Sequence, residues 1–200
     1  MKNAWPRIAL WLVGATLAYN VAEAVVAVWA GARAGSIALV GFGFDSVIET
    51  AAAAVLLWRL RAEARGAEPE TLEKTEARAE RFVGITFWLL ALYVTINAIR
   101  TLATAAASEE SLVGIILAIV SLIVMPVVAA FKIKAAGKIG SGALRAEAKE
   151  TLACSYLSFT LLAGLVANAV FDAWWADPAA ALLMVPWLVK EGKEAIFDND

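Results

Sequence analysis

Five runs of about 20 mostly apolar residues, and a sixth shorter one, divide the 200-residue chain. Roughly 20 such residues are what a helix needs to cross the hydrocarbon core of a bilayer. In lipid every backbone N–H and C=O must find its partner inside the protein, and a helix pairs them within one segment. The repeated runs therefore predict an all-α integral membrane protein, a six-transmembrane-helix bundle forming a single transmembrane domain over residues 1–200. The spans fall at about 8–30, 36–58, 82–105, 112–131, 147–171 and 178–196. The sixth is the weakest, because it carries Pro186 and ends in charge. Composition agrees: 62% of residues are hydrophobic and the mean hydropathy is +0.73, where a soluble domain is about half apolar.

Between the runs lie turn signals. Gly31 and Gly35 flank a tight first turn, and Ser108, Glu109 and Glu110 form the third. A Gly-Ser-Gly sequence marks the fourth at 140–142. Residues 59–81 form a charged, solvated connector broken by Gly66 and Pro69. Its second part suits a helix, with Glu70 four residues before Lys74 as an ion pair. Pro126 is a candidate kink in the fourth span. The first run resembles a signal peptide in having Lys2 and Arg7 before an apolar stretch. It is too long for one, and Glu23 and Trp29 fit a cleavage region poorly.

Charge distribution sets the direction. Basic residues concentrate on cytoplasmic loops of membrane proteins. With both termini and the 59–81 connector inside, all 17 basic residues except Arg33 and Arg100 are cytoplasmic. The expected location is the cell membrane, in a multi-pass arrangement. Trp5, Trp174, Trp175 and Trp187 lie near span ends, where tryptophan anchors membrane helices. The single cysteine excludes an intrachain disulfide, and the chain has no histidine.

A charge at membrane depth costs about 2.5–3.5 kcal/mol on insertion scales. Asp45 and Glu49, four residues apart, stack on one face of the second span. Glu150 and Cys154 repeat that spacing in the fifth, just after Glu147. Two helices each offering two ligand-type side chains can build one four-donor site. Carboxylates gathered in low dielectric repel one another and bind protons or a cation, and a divalent metal ion satisfies several at once. Each position also has a plainer reading. A lone acid can be a satisfied helix contact, Glu150 lies near the cytoplasmic surface, and an isolated cysteine is often a small buried hydrophobe. Asn20 and Glu23 share a face of the first span. Asn20 suits an interhelical hydrogen bond, and Glu23 and Glu147 are carboxylates that can support the site or line its approach. Asn97 and Arg100 lie toward the outer end, where they can pair with an external acid. Asp172 and Asp177 flank the last outer turn as solvated residues, and Glu191, near the end of the last span, faces either the cavity or, on the plainer reading, the surface.

Three segments resemble the cation diffusion facilitator family. AGARAGSIALVGFGFDSVIE resembles its first outer turn and second helix: Ser36, Ala38 and Leu39 match, with Asp45 and Glu49 on the two ligand positions. SGALRAEAKETLACSYLS resembles the start of the fifth helix, where Glu150 and Cys154 stand in for a histidine or aspartate and an aspartate. WWADPAAALLMVPWLVKEGKEA resembles the last turn and sixth helix, with Asp177 and Pro178 at the turn. The resemblance implies a six-helix exporter that exchanges a divalent metal ion for protons, usually as a homodimer. The family's cytoplasmic metal-binding domain is not expected in this chain, nor are the histidines often found in the connector. This is similar to a tail-less branch that includes a vesicular zinc-binding membrane protein. Three oxygens and a thiolate suit zinc, with iron, cobalt, manganese and cadmium open. A non-transporting metal-binding membrane protein, or a regulator of a partner, is the alternative. An enzyme is not expected, for want of a Ser-His-Asp set, a phosphate loop or a dinucleotide motif. Nor is a nucleic-acid partner, since the basic residues follow membrane orientation.

Overall fold

The computed structural model describes residues 5–66 and 68–197. Six helices account for nearly all of them: α1 (Trp5–Ala34), α2 (Ile37–Ala64), α3 (Pro69–Thr104), α4 (Leu112–Ile139), α5 (Gly142–Phe171) and α6 (Ala176–Phe197). No strand occurs among the described residues. The chain is an integral membrane protein with the six-helix architecture its apolar runs predict. Five helices, α1 to α5, are long and apolar enough to span a membrane. At most half of any apolar span is buried inside the bundle. The remainder, with Trp11, Val25, Phe82, Leu89, Ile123 and Phe159 exposed, is the surface that lipid covers.

Helices α2 and α3 run past their apolar spans at the end of the bundle where α2 stops and α3 starts. The 59–81 connector is mostly helical, shared between α2, which ends at Ala64, and α3, which begins at Pro69. Gly66 there has φ +80, the left-handed conformation that glycine adopts without strain. Pro69 opens α3, where its missing N–H has no helical partner to lose. Helices α4 and α6 continue through Pro126 and Pro186. Lys2 and the Lys74 side chain of the expected Glu70 pair lie outside the described residues.

Helix α2 is central, packing against α1, α3, α5 and α6. The α1–α2 hairpin closes tightly because a Cβ on Gly43 would stand 2.8 Å from the Val28 backbone nitrogen. Small residues bring membrane helices together in this way. The core between the helices is Ala27, Leu39, Phe42, Val94, Leu157, Leu161 and Met184, with Ala118 on α4.

The opposite end of the bundle corrects one expectation. Asp172 is exposed, but Asp177 is fully buried. Its carboxylate accepts hydrogen bonds from Ser36 Oγ at 2.5 Å and Ile37 N at 2.8 Å. Ser36 in turn accepts from Leu39 N at 3.0 Å. Helix N-termini carry unpaired N–H groups and a partial positive charge. The first residue pair of α6 therefore caps α2 across the bundle, and burial follows from that pairing. Asn97 bonds the Tyr93 carbonyl of its own helix at 2.8 Å, and Arg100 is exposed.

Candidate metal centre

Asp45 and Glu49 face α5 from the middle of α2. Cys154, fully buried, meets them from the other side. Its thiol donates to Glu49 Oε1 at 2.8 Å and lies 3.9 Å from Asp45 Oδ2. One donor atom from each of the three residues falls within 4.8 Å of the other two. A tetrahedral ion with oxygen and sulfur bonds of ordinary length sets its donors roughly 3.5 Å apart, so a small contraction would close this group around one cation. Three donors from the protein also leave a fourth position for water or a further ligand.

Glu150 sits one turn before Cys154 and is partly buried, outside the tight group of three. It lies within electrostatic reach of Asp45 and Glu49, and of Glu191 on α6. Glu191 is itself partly buried rather than on the surface. The groups acting on Asp45 are chiefly the carboxylates of Glu23, Glu191 and Glu150. A buried concentration of carboxyl groups is therefore built around the α2 pair, the arrangement that takes up protons or a cation.

Helix α1 contributes Asn20 and Glu23 along its buried stripe of Val13, Thr16, Asn20, Glu23 and Ala27. Asn20 Nδ2 donates to Glu49 Oε2 at 3.0 Å. Glu23, 1% exposed, accepts from Ser46 Oγ at 2.9 Å and from Ser121 Oγ. Tyr19 Oη shares a hydrogen bond of 2.8 Å with Ser121. A cavity of about 260 Å³ between α1 and α4 reaches this carboxylate, lined by Tyr19, Glu23, Ile116 and Val120 among others. Ser46 and Ser121 carry little signal in the sequence beyond a lone serine in the apolar run of α4.

Lys132 is the larger omission. Its place after the fourth apolar run puts it with the cytoplasmic lysines, yet it is fully buried. Nζ pairs with Glu147 Oε1 at 2.5 Å and donates to Thr151 Oγ1 at 2.9 Å. Glu147 is therefore engaged by a lysine between α4 and α5.

The family model for the cation efflux transmembrane domain matches residues 13–199. No curated protein matches the chain.

Proposed function

We propose, because the chain belongs to the cation efflux family, that it exports zinc or a similar transition metal ion from the cytoplasm in exchange for protons. Membership itself makes the chain a membrane cation transporter rather than an enzyme, with a divalent metal cation as its cargo. The observation that supports the finer reading is the buried group of Asp45, Glu49 and Cys154. Two carboxylates and a thiolate offer three negative donors, and together they suit an ion of borderline softness.

In this reading Asp45, Glu49, Cys154 and Glu150 are the ligands. Glu191 and Glu150, nearer the cytoplasmic end, draw the ion inward by their charge. The ligands lose their protons as the ion binds. Rocking of helices around the site exposes it to the other side. Protons arriving there neutralise the carboxylates and release the ion. The distribution of basic residues supports cytoplasmic termini. A homodimer held by close-packed membrane helices is part of the same reading, and a monomer across several detergents and lipids would contradict that part.

The test is uptake into vesicles of the reconstituted protein, with zinc, iron, cobalt, manganese and cadmium each supplied in turn. Wild type should carry zinc or a close neighbour and move protons the opposite way, and Asp45→Ala should abolish both fluxes. Normal transport by a folded Asp45→Ala protein would overturn the site. Binding without transport in wild type would favour a regulator.

A further inference from the structure

We infer that the side-chain oxygen of Asn20 is a direct ligand of the transported cation, so that the site is built from three helices rather than two. The inference rests on the metal-site reading given above for Asp45, Glu49 and Cys154.

Asn20 is 2% exposed, and its two amide atoms have unequal surroundings. Nδ2 donates to Glu49 Oε2 at 3.0 Å. Oδ1 is buried with no hydrogen-bond partner. The orientation of the amide follows from Glu49. A carboxylate oxygen attracts the NH₂ end and repels the carbonyl end, so Oδ1 must be the free atom. Buried amide oxygens are rarely left unpaired, and one that is calls for an explanation such as an ion. Both amide atoms are bonded to the same carbon, which places Oδ1 next to a residue of the donor group.

The chemistry of a neutral oxygen fits this place. Asp45, Glu49, Glu150 and an ionised Cys154 already supply four negative charges. A further carboxylate at Asn20 would add to their mutual repulsion. An amide carbonyl adds a donor without adding charge. It is also a hard ligand, suited to manganese, and it opposes the softness of the Cys154 thiolate, which suits cadmium. Asn20 and Cys154 thus pull the preference of one site in opposite directions. Helix α1 enters the site with Asn20, so binding would tie α1 to α2 and α5.

The experiment is equilibrium binding of Mn²⁺ and Cd²⁺ to the full-length protein in nanodiscs, with melting temperature measured without metal for each variant. Asn20→Leu keeps the side-chain size and removes both polar atoms. Asn20→Asp keeps an oxygen donor and loses the N–H bond to Glu49. Loss of one oxygen ligand should weaken Mn²⁺ binding by roughly tenfold or more in Asn20→Leu, with a smaller effect on Cd²⁺. Asn20→Asp should bind Mn²⁺ at least as tightly as wild type. Equal weakening of both metals in Asn20→Leu, or an Asn20→Asp protein that binds as poorly as Asn20→Leu, would mean that Asn20 only positions Glu49 and would overturn the inference. Asp45→Ala separates the two readings. If it loses both metals while Asn20→Leu binds normally, the inference about Asn20 fails alone. If it binds both normally, the site itself is wrong and the inference falls with it.

Discussion

Two buried groups of acids sit in this bundle, and they solve the same problem in opposite ways. Between α4 and α5, Glu147 meets Lys132 Nζ at 2.5 Å, with Thr151 Oγ1 accepting a second hydrogen bond from the lysine. Between α2 and α5, Asp45 and Glu49 meet Cys154, and the charged groups that act on them most strongly are further carboxylates. The first group carries its own cation. The second gathers negative donors and leaves the positive charge to come from elsewhere. On the proposed reading, the contrast separates an ion pair that holds helices together from a site built to take up an ion. It also shows why burial of an acid alone does not identify a transport site: what stands opposite the acid decides.

The difference predicts opposite responses to losing one member. Removing one partner of a buried ion pair typically costs about 3–5 kcal/mol, because the other charge is left uncompensated. Lys132→Met should therefore lower the melting temperature in detergent more than any other change considered, and Lys132→Met with Glu147→Leu should recover most of the loss. An unchanged melting temperature for Lys132→Met would erase the contrast from one side. A smaller loss is expected at the outer cap. Asp177→Ala leaves the Ser36 hydroxyl and Ile37 N–H without their acceptor, at about 1–2 kcal/mol. In the metal-free protein Asp45→Asn should cost least, with a melting temperature no lower than wild type, since it relieves repulsion. A large loss there would mean that Asp45 is structural. Cys154→Asp should bind and carry metal with its preference moved from cadmium toward manganese. The same preference in Cys154→Asp and Cys154→Ala would reduce the cysteine to packing.

Much of this was legible in the chain itself. The apolar runs reveal six helices because lipid demands long apolar segments and little else. Asp45 and Glu49 stand out because charge at that depth is rare and their spacing places them on one face. Cys154 stands out only through its spacing from Glu150, and the two then part company: Cys154 joins the tight group, while Glu150, one turn nearer the start of α5, stays outside it. Spacing along a helix gives a shared face but not the depth at which the neighbouring helix meets it. The burial of Lys132 and Asp177 is hidden in the sequence for a related reason. Each lies at the end of an apolar run, where a charged residue ordinarily reaches water. Their burial depends on partners in other helices, and Ser36 is 141 residues from Asp177. The Ser46–Glu23–Ser121 network joins three helices and has no signature in any one of them.

The acid-lined site also predicts a pH response. Carboxylates and a thiol must release protons to hold a metal ion, so affinity should fall as the solution is acidified. The most direct measurement is Zn²⁺ binding by the purified protein in nanodiscs at two pH values, for wild type and Asp45→Asn, with proton release followed in the same titration. The account predicts saturable binding by wild type that weakens at the lower pH and releases protons, and its loss in a folded Asp45→Asn protein. Binding of equal strength in the two proteins, with equal proton release, would contradict it.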